Sequence, residues 1–582
     1  MKFCDVASVF EQIESISSRN EITQTLAQLF KQANSQEAKI ITYFSLGSLY
    51  PSYQKVQINI AQNTVMQVLA RLFDRPIDEV KKEVKHAGDL GLYVMAHAQK
   101  RTCTLSVQEL YDRLCGLGGF VGQGSNEDKI QDLYELLQTV DVITAKYVVR
   151  IVTQTLRLGF SDMTIIDALS WMHAGDKTLK DPLEHAYNVC ADLGLVAQTL
   201  KEQGVEGIDR FVPTVGIPIR PAAAERLPSA QAIIDKLGTC IVQPKLDGFR
   251  LQVHMKKDAL GFVQTHFFSR NLIDMSYMFP DIEDEVKKLS VDSLICEGEA
   301  IAFDSATGQF LPFQETVKRK RKHDIGQVSQ ELPLRLFIFD VLYLNGRSLL
   351  DVPYVKRREM LLEMLPESDE KISTIHEQVV RTAKELEYFF LQHISDGLEG
   401  VVVKRSDALY QPGKRNFNWI KLKQQEGQSL LKDTVDVVVL GYYYGQGKRA
   451  SFGIGAFLVG VYNAKIDRFE TIAKIGTGLT DAEWKALKEK CDALSVQKIP
   501  SSVVIPKELL PDVLVTPQIV CEAMADNITQ SPLHTAGKTH SELGYALRFP
   551  RFIQYRIDKS VYDATTVTEI VSMFASQYSK KE

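Results

Sequence analysis

The sequence predicts a multidomain α+β protein, with an all-α region over residues 1–208, a mixed α+β region over 209–428 and a small β-barrel of the OB type over 429–582. Three observations carry that expectation. Apolar residues recur at helical spacing early in the chain, as in Val65, Val68, Leu69, Leu72 and Phe73 and again in Ile130, Leu133, Tyr134 and Leu137. Past residue 222 the pattern changes to short apolar or alternating runs, the mark of strands, with fewer helical stretches between them. From residue 435 onward, Val435–Leu440, Tyr442–Tyr444, Phe457–Tyr462 and Phe469–Lys474 read as short strands parted by glycine-rich turns, which suits a small closed barrel.

A chain of 582 residues, 45% hydrophobic and 24% charged, has room for about three to four globular domains. Its net charge of −5 excludes a wholesale polycation, so any nucleic-acid contact must come from a local basic face. The eight cysteines are scattered and form no Cys-x-x-Cys pair, which argues against a zinc finger and against a secreted disulfide framework. The N-terminus lacks a signal-peptide pattern and no apolar stretch is long enough for a bilayer. The expectation is a protein of a reducing, intracellular compartment with no membrane partner.

Within the helical region, Gly122-Gln123-Gly124-Ser125-Asn126 and Leu158-Gly159-Phe160-Ser161-Asp162 break one helix from the next. Residues 209–222, with Pro213, Gly216, Pro218 and Pro221, read as a linker. The mixed region then opens on its most informative stretch. Cys240–Val242 form an apolar run, Pro244-Lys245-Leu246-Asp247-Gly248 a tight loop, and Leu251, Val253 and Met255 one face of a second strand. Gly248 marks a backbone position that other residues would find costly. A lysine attacks only as the neutral amine, which needs desolvation or cationic neighbours, and Arg250 with a metal-loaded triphosphate would supply the latter. The plain alternative is a charged surface hairpin.

Further carboxylates and cations follow on predicted strands. Glu297 and Glu299 share one face by alternation, with Glu297 expected toward solvent. Lys318-Arg319-Lys320-Arg321-Lys322 is a run of five cations that reads as a phosphate-tracking loop, or otherwise as a solvated one. Phe339 sits in the apolar strand Leu334–Asp340, and Glu399 precedes the valine-rich strand that ends in Lys404. Lys421 and Lys423 project to one face of another strand, and two adjacent cations there call for an anion between them. Near the end, Arg548, Arg551, Arg556 and Lys559 alternate with aromatics. Ala536-Gly537-Lys538-Thr539 looks like the tail of a phosphate-binding loop, but Pro532 stands where its leading glycine would be, so it is none.

The stretch Lys245-Leu246-Asp247-Gly248-Phe249-Arg250, with the later series in the same order, resembles the nucleotidyl-lysine motifs of the covalent nucleotidyltransferases. The resemblance spans nearly the whole chain and is closest to the ATP-dependent DNA ligases of the archaeal and eukaryotic replicative type. It implies a DNA-binding domain over 1–208, a nucleotidyltransferase (adenylation) domain over 209–428 and an OB-fold domain over 429–582. It implies ATP as substrate, magnesium as cofactor and nicked double-stranded DNA as partner, with a monomeric enzyme, a sliding clamp as a further partner class, and service in replication, repair and recombination. Lys245 would carry AMP, and Asp247 would assist the 3′-hydroxyl. Gln243, where many relatives have a glutamate, would accept from the adenine amine, and Phe339 would stack on the ring. Arg250, Arg270, Lys421, Lys423, Arg548 and Lys559 would contact ATP, with Arg270 also on the 5′-phosphate of the nick. Glu299 and Glu399 would hold the metal, Glu299 also the ribose. Lys146, Arg150 and Arg157, alternatively solvated helix faces, and Lys320 and Arg321 would touch DNA. An RNA ligase or capping enzyme shares the lysine motif, but the helical N-terminal region and the Arg548–Lys559 tail argue against it. A silent DNA clamp is opposed by the intact series.

Overall fold

A computed structural model describes residues 1–54, 58, 60–98, 104–120, 122, 124–156, 158–302, 311, 316, 319, 329, 331–365, 371–395, 398–423, 433–445, 447–539 and 542–578. The chain divides into two compact units, one of residues 1–61 with 101–424 and one of residues 62–100 with 425–582.

The first unit begins as helices. Phe3–Ser15 buries Phe3, Val6, Phe10 and Ile13 along one stripe, and Phe10 meets the Tyr147 ring of helix Val142–Val152 edge-on at 5.4 Å. Helix starts are fixed by side-chain caps, as where Asn34 and Glu37 bond reciprocally to each other's backbone. The last helix of the region ends at Ile208, as the periodicity predicts.

Two sheets follow. In chain order the strands are β1 (Ala223–Arg226), β2 (Cys240–Lys245), β3 (Phe249–Lys257), β4 (Val263–Ser269), β5 (Ser293–Ala302) and β6 (Leu334–Leu344). Then come β7 (Arg347–Ser348), β8 (Ile372–Thr374), β9 (Gln378–Val380), β10 (Gly400–Lys404) and β11 (Arg415–Lys423). One sheet runs β1-β11-β10-β2-β9, the other β4-β3-β5-β6-β7 with β8 beside β6. Each sheet buries one face on its own core. In the first, Val242, Val401, Val403, Ile420 and Leu422 pack with Ile233, Leu386 and Phe389 from two covering helices. In the second, Leu251, Val253, Met255, Cys296, Ala300, Leu336 and Ile338 do the same with Phe279 and Ile282. Period two sends the intervening side chains to the opposite faces.

The segment Leu246–Gly248 therefore joins two sheets and is no hairpin, because β2 pairs with β9 and β10 whereas β3 pairs with β4 and β5. Glycine at 248 answers a steric demand: a Cβ there would stand 2.4 Å from the carbonyl oxygen of Ala300. Residues 209–222 are likewise more than a linker. Ile219 exchanges hydrogen bonds of 2.7 and 3.0 Å with the Gln252 amide, and the Gly216 N–H donates to His254 Nδ1 at 3.0 Å. Burial pushes His254 down to about 3, so the ring is neutral and serves as that acceptor. At Arg220 the same segment is tied to Asp162 of the helical region at 2.7 Å.

In the second unit, β12 (Val435–Tyr443), β13 (Ala456–Asn463) and β14 (Arg468–Ile475) form an antiparallel meander. A bulge between Val439 and Gly441 bends β12, which the sequence pattern splits into two strands. β15 (Ser495–Val496), β16 (Val503–Val504), β17 (Val513–Val515), β18 (Val520–Met524) and β21 (Arg551–Tyr555) complete an eight-stranded sheet. A separate ribbon pairs β19 (Asn527–Ser531) with β20 (Gly544–Arg548). Helices Gln62–Leu72, Ile77–Ala87 and Leu90–His97 belong to this unit, where Lys85 pairs with Asp512 at 2.5 Å. Among the described residues, no helix is long and apolar enough to cross a membrane.

Candidate active site

The cleft-side face of the first sheet is set by register. Lys245 of β2 lies across from Gly400 of β10, and Gly400 across from Lys423 of β11; one step on, Gln243, Val402 and Lys421 line up in the same way. Directly paired residues share a face, so Gln243, Lys245, Lys421 and Lys423 point together. Gly400 makes the close approach possible, since its φ of +146° disfavours a side chain and a Cβ would meet the Leu422 carbonyl oxygen at 2.3 Å.

Among the described residues, cations outnumber carboxylates on this face. Lys245 and Lys423 each bond one oxygen of the Glu399 carboxylate. Burial would raise the Glu399 carboxyl, but the two ammoniums outweigh it and hold the group below its ordinary value. Among the described residues no carboxylate pairs with Lys421: burial, then the nearby charges of Lys423, Arg415, Lys245 and Arg226, hold its ammonium below the ordinary lysine range. Several cations gathered around a partly open lysine make an anion-binding surface.

The second sheet supplies carboxylates and aromatics. Glu299 accepts the Gly248 N–H at 3.2 Å, and burial, only partly offset by Lys245 and Arg250, pushes its carboxyl up to about 7. Glu297 is not solvent-facing: only 1% exposed, it accepts two bonds from Arg250 at 2.9 and 3.1 Å and one from the Tyr410 hydroxyl at 2.8 Å. Both faces of β5 are covered, one by the core and one by this cluster, which overrides the simple in/out reading. Arg250 is thereby spent on structure. Its two terminal nitrogens hold Glu297 and the Ala222 carbonyl, its plane lies 5.5 Å from both the Phe339 and Trp419 rings, and only Nε remains, buried and unpaired.

Behind Lys245 a polar network fills the interior. Gln243 donates to the Tyr354 hydroxyl at 2.7 Å and to Glu377 at 2.9 Å, and Tyr354 donates to the same Glu377 oxygen at 2.8 Å. Lys404 donates to the Phe339 carbonyl oxygen at 2.9 Å with the Tyr354 and Trp419 rings about it, and burial pushes its ammonium down to about 7. Tyr354, Glu377 and Tyr410 escape sequence reasoning, because their segments carry no motif and only the sheet crossing brings them in.

Family models described as "DNA ligase N terminus", "ATP dependent DNA ligase domain" and "ATP dependent DNA ligase C terminal region" match residues 2–170, 221–423 and 450–559. A "Probable DNA ligase" of Dictyoglomus thermophilum is 45% identical over 100% of this chain and 99% of its own length. A "DNA ligase" of Sulfolobus acidocaldarius is 37% identical over 100% and 99%. The chain belongs to the ATP-dependent DNA ligases. The ligase is also similar in fold to the solved structure "Pmar-Lig_PreS3", with a TM-score of 0.55 at 16% identity over 95% of this chain and 99% of that one. It has the helical N-terminal, adenylation and C-terminal domains of that family.

Gln243, Lys245, Lys421 and Lys423 stand on one face of the first sheet, Glu399 bonds Lys245 and Lys423, Glu299 lies within the field of Lys245, and Phe339 lies against Trp419 and Lys404. Asp247 is exposed on the loop between the sheets. Arg270 is exposed after β4, at the edge of a small pocket it shares with Pro221, Arg250, Gln252 and Glu297. Lys146 and Arg150 are no basic face: Lys146 is 1% exposed and bonds Glu14 at 2.8 Å and Glu11 besides, and Arg150 bonds Glu14. Their charge is cancelled inside the helical region, so neither is free for a phosphate or for solvent. Of the five-cation run, Arg319 is 1% exposed and pairs with Asp281 at 2.6 Å, which removes it from any phosphate track. Arg157, Lys320 and Arg321 lie outside the described residues. In the second unit Arg548 is exposed beside the Phe549 ring, and Lys559 pairs with Asp436 at 2.6 Å next to Arg556.

Among the described residues, no group of three or more His, Cys, Asp or Glu side chains is arranged to hold a metal ion. Glu299 and Glu399, both within the field of Lys245, offer hard oxygens only. That donor set fits magnesium, which keeps most of its water or phosphate ligands.

Proposed function

We propose that this ligase seals nicks in duplex DNA through a covalent Lys245–AMP intermediate. The observation that carries the reading is the face on which Lys245, Lys421 and Lys423 stand together, with Glu399 between two of them. Phosphoryl transfer asks a protein mainly for position and charge neutralisation. Lys421 and Lys423 would neutralise the triphosphate while Lys245 Nζ, as the neutral amine, attacks the α-phosphorus. The N–P bond forms, the bond to the bridging oxygen breaks and pyrophosphate leaves. The 5′-phosphate of the nick then takes AMP from the lysine, and the 3′-hydroxyl, assisted by Asp247, displaces AMP as the phosphodiester forms. Glu399 would turn from the lysines toward magnesium, shared with Glu299, and the ion when bound would offset charge on the phosphates.

Nicked double-stranded DNA is the partner in this reading, with Arg270 on the 5′-phosphate and the helical region on the duplex. The meander and ribbon of the second unit would be an OB-type barrel, bringing Arg548 and Lys559 to ATP on closure and re-docking around DNA. The large rigid-body motion is assigned to the two linkers between the domains. The enzyme would act as a monomer in replication, repair and recombination, recruited by a sliding clamp.

The test is incubation with ATP labelled at the α- or the γ-phosphate, followed by denaturing electrophoresis. Acid-labile label from the α-position only, absent in Lys245→Ala and chased by nicked DNA into a sealed strand, is the expected result. Label that persists in Lys245→Ala sinks the mechanism.

A further inference from the structure

We propose that Glu377 is the positioning residue for base selection. By fixing the amide of Gln243 it makes the site take a purine triphosphate with an exocyclic amine and refuse one with a carbonyl in its place. The inference rests on the reading that Lys245 takes its nucleotide from ATP.

An unconstrained glutamine cannot discriminate these bases, because turning its amide over exchanges an acceptor for a donor. Here the amide cannot turn. A carboxylate only accepts, so the amide atom 2.9 Å from Glu377 must be the NH2 group. The Tyr354 hydroxyl spends its hydrogen on the same carboxylate oxygen at 2.8 Å, so its own oxygen accepts the second amide hydrogen at 2.7 Å. Both amide hydrogens are thus used, by partners whose polarity leaves no alternative. Arg358 Nε lies 3.2 Å from the far oxygen of Glu377, an ion pair on the side away from Gln243.

What remains of Gln243 is its carbonyl oxygen, without a hydrogen bond among the described residues. The side chain is 2% exposed and stands on the same face of β2 as Lys245, about 7 Å along the strand. A nucleotide whose α-phosphate meets Lys245 brings its base toward that oxygen. The amine of adenine completes the bond; the carbonyl of hypoxanthine or guanine sets two acceptors against each other in a dry site and leaves both unpaired. Glu377 never touches the base. It acts through Gln243.

The experiment measures lysyl-nucleotidylation kinetics with α-labelled ATP and α-labelled inosine triphosphate, which puts a carbonyl where adenine has its amine. Wild type is compared with Glu377→Gln and with the double swap Gln243→Glu with Glu377→Gln. Glu377→Gln is expected to lower the ATP preference in kcat/KM by at least about tenfold, mainly through KM for ATP, because the amide at 243 is free to turn. The double swap is expected to restore the preference, since a carboxylate at 243 can only accept and a glutamine at 377 can supply the donor. A preference in Glu377→Gln within about twofold of wild type, or a double swap no better than Glu377→Gln, overturns the role of Glu377. Wild type that takes no label from ATP overturns the Lys245 reading instead, so the two failures are told apart.

Discussion

Two groups of cations in the first unit start from the same chemistry and end in opposite states. On helix Val142–Val152, Lys146 and Arg150 meet Glu11 and Glu14, two charges against two, and Tyr147 adds a 2.9 Å bond to Glu14. On β2 and β11, Lys245 and Lys423 bond Glu399, and among the described residues Lys421 pairs with no carboxylate, with Arg226 and Arg415 close enough to be felt. Lys146 is 1% exposed; Lys245 keeps a quarter of its side chain open. A balanced set can be buried because each charge regains by pairing what it loses in hydration. An unbalanced set cannot close on itself, and its remaining positive field is what a triphosphate or a nicked backbone would complete. Stoichiometry, more than residue type, separates a cationic staple from a cationic site.

The strongest break of this comparison is Lys245→Arg. The positive charge stays, but a guanidinium does not give up its proton to become a nucleophile. Covalent label from ATP should vanish entirely while ATP still raises the unfolding temperature of the protein. Loss of that stabilisation as well would mean that Lys245 serves binding and not attack. Next in size are Lys421→Ala and Lys423→Ala, each expected to slow the first step about 100-fold, the scale of one transition-state charge contact. Adenylation rates measured at saturating ATP decide this; an unchanged rate would deny the excess charge any role in catalysis.

These contrasts mark where the sequence is readable. Lys245, Glu299, Glu399, Lys421 and Lys423 are legible because each sits in a short contiguous stretch that reads as a strand or as its entry or exit. Lys146 is not, because its partner Glu11 lies 135 residues away and leaves no local trace in the helix pattern. Glu297 misleads for a related reason: alternation names a face but not what covers it, and Tyr410 and Arg250 cover this one. Gln243 is visible as a departure from the family pattern, but its meaning depends on Glu377, 134 positions on and in another strand's flank. A hairpin is the plain alternative for the loop Leu246–Gly248 because adjacent strands usually pair. Its β2 and β3 instead open two sheets, and the cleft exists for that reason.

A milder probe is pH. The Glu299 carboxyl, pushed up to about 7 by burial, should make adenylation rise with pH through about 7 if the ionised form holds the metal. The stability sign runs the other way. A folded value above the ordinary glutamate value means that the folded state holds the proton more tightly, so the stability it contributes is complete below about 4.5 and lost as pH rises through about 7. Unfolding temperatures of the nucleotide-free protein should therefore fall from pH 5 to pH 8, and Glu299→Gln should flatten that fall. A mutant that falls just as steeply would place the titration elsewhere, and not at Lys404, whose value, lowered by burial to about 7, makes stability rise with pH.

The smallest expected effect on catalysis sharpens the comparison most. Lys146→Met keeps the length and apolar stem of the side chain while taking the ammonium away from Glu11 and Glu14, of which Glu14 keeps Arg150 and Tyr147. The cost should be about 2 kcal/mol, below that of breaking a fully enclosed pair, because both carboxylates are open enough to regain water. Sealing rate per folded molecule should not change. Neither should the salt dependence of nicked-DNA affinity, since a lysine that neutralises no phosphate releases no counterion when it binds. A shallower salt slope in Lys146→Met would show that the pair with Glu11 and Glu14 opens on DNA, and the balanced cluster would then be a latent site and not a staple.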